Sequence, residues 1–266
     1  HMENSVPRRA RKRFGQHFLH DSGVVHRIVD HLQLNPEEIL CEIGPGRGAL
    51  SDRLVETGNP LHLFEIDRDL VPTLVDRYSA SPQVNVHEQD ALRLDLDIIN
   101  PHSETVLVGN LPYNISTALL IHLLSQSKQV SRMVFMVQKE VGDRLSAQPG
   151  NKSYGRLTVM MSRVFEIVSL FDVGPEAFSP PPKVWSSVLL FSPREAPLGP
   201  PVNSSDFEVL VRQSFAHRRK TLRNTLKGLC SEGVIRKAGI DPSARPETLS
   251  PEDFARLTAL CGQSEC

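Results

Sequence analysis

The sequence predicts a doubly wound, mainly parallel α/β sheet followed by a small all-helical domain. Three observations carry this. Short apolar runs alternate with amphipathic stretches from residue 22 to about 140, the rhythm of βα units. Polar, Gly-rich or acidic loops follow the apolar runs, where strands of such sheets open onto helices. Beyond the Pro-rich stretch 193–201 only helical spacing remains.

Residues 1–21 form a basic segment with Arg8, Arg9, Arg11, Lys12 and Arg13; His1-Met2 reads as a cloning remnant. Val24, Val25, Ile28, Val29 and Leu32 then recur at three- and four-residue spacing. That spacing predicts a helix with Asp21 or Ser22 as N-cap, ended by Asn35-Pro36. A strand at 39–43 opens into Gly44-Pro45-Gly46-Arg47-Gly48, and Ala49-Leu50 begin the next helix. A strand at 61–64 ends in Glu65-Ile66-Asp67, followed by a helix at 69–78, a strand at 84–86 and the loop Glu88-Gln89-Asp90-Ala91. Strand 105–108, helix 117–125 and strand 133–137 complete the alternation.

A helix is expected at 140–145 and a mobile loop at 148–153, rich in turn formers. Helix 157–163 leads to a late hairpin-like pair of strands, 166–172 and 184–191, joined through Phe178-Ser179-Pro180-Pro181-Pro182-Lys183. Residues 194–204 read as an extended linker. After it, Phe207, Leu210, Val211 and Phe215 share a helical face, and Leu222, Leu226 and Leu229 continue it. The basic run 218–223 is expected on an amphipathic helix. The domains are thus 22–193 and 205–266.

With 266 residues, the chain is long enough for one large domain and a small appendage. No apolar run approaches the roughly 20 residues that span a bilayer, and no apolar stretch follows the basic start as in a secretory signal. A soluble, cytoplasmic protein without membrane association is expected. Cys41, Cys230, Cys261 and Cys266 form no CxxC pair and no metal-ligand spacing, so free thiols and no metal are expected. The net charge of -1 conceals segregation. Cations gather near both ends and acids between residues 37 and 97, so the sum does not exclude a polyanionic partner.

Gly44-x-Gly46-x-x-Ala49 satisfies the dinucleotide fingerprint, with Glu65 at the distance of a ribose-binding acid. This leaves an NAD enzyme open. S-adenosylmethionine is favoured by Glu42 ahead of the loop and by the early third glycine of Glu42-x-Gly44-x-Gly46-x-Gly48. The cofactor's ammonium and sulfonium suit nearby carboxylates better than a pyrophosphate does. Asp90 is placed to accept from an adenine amino group, with Ala91 beside it. In Gly109-Asn110-Leu111-Pro112-Tyr113-Asn114, Pro112 holds Leu111 extended. The Asn110 side chain and the Leu111 carbonyl then offer two acceptors beside the Tyr113 ring, which suits a planar substrate bearing an NH2 group. Taken singly, this tetrapeptide reads equally as a turn, Phe178 as a core aromatic, Asp90 as a helix cap and the basic run as a solvated face.

In order along the chain stand Gln16-His17-Phe18-Leu19, Glu42-Ile43-Gly44-Pro45-Gly46-Arg47-Gly48, Glu65, Asp90-Ala91, Asn110-Leu111-Pro112-Tyr113 and Phe178-x-Pro180-x-Pro182-x-Val184-x-Ser186. Together they resemble the ribosomal RNA adenine dimethyltransferases, the KsgA family. Arg218-Arg219-Lys220-Thr221-Leu222-Arg223-Asn224, Gly239-Ile240-Asp241-Pro242 and Arg245-Pro246-Glu247 look like that family's C-terminal domain. They set the chain apart from the related macrolide-resistance enzymes, which act on large-subunit rRNA. The resemblance spans about residues 11–260; His17 stands where many members have Asn.

The resemblance implies a Rossmann-like class I methyltransferase that dimethylates the exocyclic N6 of two adjacent adenosines near the 3′ end of small-subunit (16S) rRNA. It implies a monomer acting on the immature 30S particle. S-adenosyl-L-methionine would be bound by His17, Leu19, Gly44, Gly46, Glu65, Asp90, Ala91 and Asn110. Catalysis would fall to Asn110, Leu111, Pro112, Tyr113 and Phe178, with Tyr113 and Phe178 sandwiching a flipped base. RNA contacts are expected from Arg11, Lys12, Arg13, Lys152, Arg218, Arg219, Lys220 and Arg223. Two other functions stay open: methylation of a glutamine side chain in a protein, and a ribosome-assembly role that depends on binding more than on methylation.

Overall fold

In the computed structural model, residues 16–263 are described. The chain runs β1 (Phe18–Leu19), α1 (Ser22–Leu32), β2 (Ile39–Ile43), α2 (Ala49–Val55), β3 (Leu61–Glu65), α3 (Val71–Arg77), β4 (Val84–Glu88), α4 (Leu96–Ile99), β5 (Thr105–Asn110), α5 (Ser116–Leu124), β6 (Val130–Gln138) and α6 (Lys139–Ser146). It continues through α7 (Arg156–Val164), β7 (Phe165–Val173), β8 (Phe178–Ser179) and β9 (Ser186–Pro193) to α8 (Ser204–Ser214), α9 (Leu222–Thr225), α10 (Glu232–Lys237) and α11 (Pro251–Gln263). Local chemistry explains several boundaries. Asp21 caps α1 by accepting from the Val24 amide, and Asn203 caps α8 through the Asp206 amide.

Seven strands form one sheet in the order β4-β3-β2-β5-β6-β9-β7 among the described residues. β2 to β6 pair in parallel. β9 enters antiparallel between β6 and β7, which realises the expected late pair. The order reverses between β2 and β5, so the loops leaving these two strands part to opposite sides and leave a crevice at their carboxyl ends. Close packing there fixes Gly109, which pairs with Ile43. A Cβ on Gly109 would stand 2.4 Å from the Ile43 carbonyl oxygen.

Both faces of the sheet are covered. Ile43, Leu107 and Phe135 pack with Leu119, Leu123 and Met161 on one side. Leu40, Leu63 and Val108 pack with Ile28, Leu32 and Leu54 on the other. A third cluster joins Tyr154, Val159 and Met160 at α7 to Phe207, Leu210, Leu222 and Phe254 of the C-terminal helices.

One expectation needs correction, and three regions gain tertiary contacts that the sequence did not show. Residues 218–220 are not helical but lie in the turn between α8 and α9, and of the basic run only Arg223 is on a helix. The reason is that Phe215 and Leu222 are the apolar anchors and no large apolar residue lies between them to seat another helical turn. The segment 148–153 makes tertiary hydrogen bonds. Gly150 donates to the Glu247 carbonyl at 2.7 Å, and Arg218 donates to the carbonyls of Lys152 and Tyr154 at 2.6 and 2.7 Å. The linker is likewise anchored, because Leu198 and Arg163 exchange hydrogen bonds through the Leu198 amide and the Arg163 guanidinium. Finally, the packing of the C-terminal helices brings Cys230 and Cys261 to a Cα separation of 5.6 Å, within the reach of a disulfide. Their spacing along the chain carried no signal of this. Cys41 is free and buried, and burial pushes its thiol pKa up.

Candidate active site

The crevice between the β2 and β5 loops is a cavity of about 530 Å³. His17, Leu19, Gly44, Gly46, Glu65, Asp90, Ala91, Asn110, Leu111, Pro112, Tyr113 and Phe178 all line it. Residues spread over most of the chain therefore share one site, because β2, β3, β4 and β5 end at the same edge of the sheet and the separate β1–β8 pair contributes to its wall.

The glycine loop shows what kind of ligand suits it. Gly44 donates to the Phe64 carbonyl at 2.9 Å and Gly48 to the Pro45 carbonyl at 2.9 Å. Gly46 donates to Glu65 Oε1 at 3.0 Å. All three glycine amides are thus engaged within the protein, whereas a pyrophosphate would require such amides for itself. Glu42 adds to this. Its carboxyl is 2 % exposed, lines the cavity and accepts from Ser51 Oγ. Burial pushes its pKa up to about 8, aided by the charges of Glu65 and Asp52 and opposed by the Ser51 hydrogen bond. A cation bound beside this carboxyl would favour its charged form and be favoured by it, whereas an anion would gain nothing from it.

Glu65 is held from both sides. Besides the Gly46 amide, the Asp67 amide donates to its Oε2 at 3.0 Å, so both oxygens are fixed at the end of β3 with lone pairs to spare for a ribose diol. Burial raises its pKa, against the lowering effect of these amides. Asp90 spends Oδ1 on the Leu92 amide at 3.0 Å, capping a 3₁₀ turn over Ala91–Arg93. Its Oδ2 is left to accept an amino group. Room for the ligand is set by β1: Phe18 lies against the loop so closely that a Cβ on Gly46, which has φ +58°, would stand 3.0 Å from the Phe18 ring.

On the acceptor side, Asn110 Nδ2 donates to the His17 carbonyl at 3.2 Å. This fixes the amide orientation and frees Oδ1 as an acceptor. Pro112 follows Leu111, whose own amide is tied to the Met136 carbonyl at 3.0 Å. The His17 ring lies 2.7 Å through Nδ1 from the Pro180 carbonyl. A carbonyl only accepts, so Nδ1 carries the hydrogen and Nε2 is left for a ligand. The β1–β8 pairing, Leu19 opposite Phe178, brings the cofactor and base walls together. Phe178 is buried and Tyr113 is 63 % exposed, so one aromatic wall is fixed and the other faces the mouth.

A chain with these acids, this loop and this acceptor pair matches the ribosomal RNA adenine dimethylase family over residues 8–262. The chain belongs to the ribosomal RNA adenine dimethylase family. The dimethylase is 48% identical over 261 residues to Ribosomal RNA small subunit methyltransferase A of Hahella chejuensis, covering 97% of this chain and 94% of the relative. It is 44% identical over 257 residues to the protein of that name from Pseudomonas aeruginosa, covering 96% of each. Among solved structures, the 23S rRNA methyltransferase ErmE superposes with a TM-score of 0.68 and 26% identity over 92% of this chain and all of that one. A dimethyladenosine transferase from Plasmodium falciparum shares the fold, with a TM-score of 0.77 and 24% identity over 91% and 96% of the two chains.

Of the residues expected to contact RNA, those described stand apart from the cavity. Lys152, Arg218, Arg219 and Lys220 are exposed together where the 148–153 segment meets the basic turn. Arg223 is instead paired with Glu232 at 2.6 Å. Arg11, Lys12 and Arg13 lie outside the described residues. The cavity also includes Phe18, Arg47, Ile66, Gln89 and Val184, which sequence reasoning did not nominate. Ile66 was findable as the residue after the ribose acid. Phe18 was not, since its role depends on a two-residue strand.

Proposed function

We propose that the dimethylase transfers methyl groups from S-adenosylmethionine to the exocyclic N6 of two adjacent adenosines near the 3′ end of 16S rRNA, acting as a cytoplasmic monomer on the immature 30S particle during ribosome biogenesis. Methyl transfer and the rRNA substrate class follow from family membership. Among the described residues no helix is long and apolar enough to cross a membrane.

The residues fit the cofactor. Glu65 takes the ribose hydroxyls and Asp90 Oδ2 the adenine amino group, with Ala91 alongside. Glu42, His17, Leu19, Gly44 and Gly46 surround the cationic end. When bound, S-adenosylmethionine supplies an electrophilic methyl group carried on a sulfonium.

The acceptor nitrogen is a poor nucleophile because its lone pair is delocalised into the purine. Asn110 Oδ1 and the Leu111 carbonyl accept from its two N–H groups, draw it toward pyramidal geometry and localise the lone pair. This is orientation with electrostatic stabilisation, and no covalent enzyme intermediate is required. Tyr113 and Phe178 hold the extruded base by stacking, worth about 1–3 kcal/mol per base. The proton that N6 loses passes to water. Exposed Lys152, Arg218, Arg219 and Lys220 position the RNA through phosphates without reading its sequence.

The observation that carries the reading is the Asn110 amide, locked by His17 so that an acceptor stands at the crevice beside the acid-lined cofactor pocket. The test is incubation with labelled S-adenosylmethionine and immature small subunits, naked 16S rRNA or 23S rRNA. Dimethyladenosine at two adjacent 16S positions is expected, and Asn110→Ala lowers kcat by about 10²–10³-fold while particle binding is retained. Label on 23S rRNA alone or on protein refutes the reading.

A further inference from the structure

Of seven large apolar side chains exposed among the described residues, three, Ile66, Tyr113 and Val184, line the cavity, and a fourth, Trp185, follows Val184. An exposed apolar cluster at the rim of a polar site marks a contact surface. Trp185 is 53 % exposed and is the chain's single tryptophan. It does not line the cavity, although its neighbours Val184 and Ser186 do. Its backbone is set by the start of β9, where its carbonyl accepts from the Lys139 amide at 2.9 Å. The Trp185 Cα therefore stands one trans-peptide step, about 3.8 Å, from a wall residue on either side, and its indole is turned out of the cavity into solvent.

The surroundings suit a nucleotide. Lys183, two residues before Trp185, is exposed and has no ion pair among the described residues. Lys139 is different, being shared between Asp143 and Asp172 at 3.1 and 3.4 Å. An aromatic platform with one free cation beside it is the arrangement that receives a base and its phosphate. The base in the cavity is already provided for by Tyr113 and Phe178, so a platform outside serves a different base. A substrate with two adjacent adenosines always presents a second base one phosphate step from the first.

We propose that Trp185 stacks on the nucleotide adjoining the target adenosine, with Lys183 at its phosphate, and so holds the neighbouring base at the rim while the target occupies the cavity. This rests on the rRNA adenine dimethylation reading. Trp185 is a positioning residue on the RNA side; it touches neither the cofactor nor the reacting nitrogen.

The test compares wild type, Trp185→Ala and Trp185→Phe on immature small subunits, with KM for particles and for S-adenosylmethionine and kcat measured separately. Trp185→Ala raises KM for particles roughly tenfold and leaves KM for S-adenosylmethionine within twofold of wild type. Trp185→Phe, which keeps a stacking ring, recovers most of the loss. If the wild type forms dimethyladenosine but Trp185→Ala has wild-type KM for particles, or if Trp185→Phe is as impaired as Trp185→Ala, the inference falls alone. If the wild type forms no dimethyladenosine on rRNA, the functional reading falls and takes the inference with it.

Discussion

Replacing Glu42 by Gln tests the electrostatics of the pocket floor without touching the groups that hold the target base. The Glu42 carboxyl holds its proton to about pH 8, against an ordinary value of 4.5, chiefly because it is buried. A folded-state pKa above the unfolded one means that the native chain keeps a proton the unfolded chain has already lost. Stability is therefore lost as pH rises from about 4.5 to 8. Without ligand, the loss from this one group reaches about 4 kcal/mol at pH 8. Gln fills the same space, accepts the Ser51 hydroxyl and has nothing to ionise. Glu42→Gln is thus expected to match wild type near pH 5 and to exceed it at pH 8, by roughly 10 °C in melting temperature for a chain of this size. Glu65 is shifted in the same direction by burial, so the wild-type profile alone does not isolate Glu42; the difference between the two proteins does. Thermal or denaturant unfolding at both pH values reads it. Identical pH dependence in the two proteins refutes the buried-carboxyl argument.

Asp90→Asn keeps the oxygen that caps Leu92 but presents an NH2 where the cofactor's amino group needs an acceptor. A rise of about 10- to 100-fold in KM for S-adenosylmethionine is expected from the unpaired polar groups, with kcat little changed, and initial-rate kinetics check it. Arg219→Ala and Lys220→Ala are each expected to reduce the salt dependence of small-subunit binding by about one unit of slope, measured by titration at several salt concentrations. Arg218→Ala, which also removes the Nη2 hydrogen bonds to the Lys152 and Tyr154 carbonyls, is expected to lower the melting temperature of the chain in addition.

The periodic features were legible. Fully buried strands such as Val106, Leu107 and Val108 in β5 announce themselves as apolar runs, and Asp21 announces the start of α1. The acids at the strand ends were legible too, because parallel strands bring their carboxyl ends to one edge whatever the loops do. What escaped were features set by partners far along the chain. β1 and β8 have two residues each, too few for any period. The basic run 218–223 has the composition of a solvated helix face, yet its first three residues turn because their apolar neighbours anchor elsewhere. The 148–153 segment looks free in isolation, and only Glu247 and Arg218 reveal its tertiary hydrogen bonds. The hydrogen bonds that disfavour a dinucleotide, from Gly44, Gly46 and Gly48, depend on tertiary partners in the same way.

The strap made by β1 and β8 has only two rungs, Phe18 with Ser179 and Leu19 with Phe178. A ladder that short sits at the low end of local stability, well below the seven-stranded sheet. It joins the two walls of the site: Phe18 packs on the glycine loop, the His17 carbonyl accepts from the Asn110 amide, and Leu19 pairs with Phe178. The donor and acceptor walls are therefore coupled through this one short ladder.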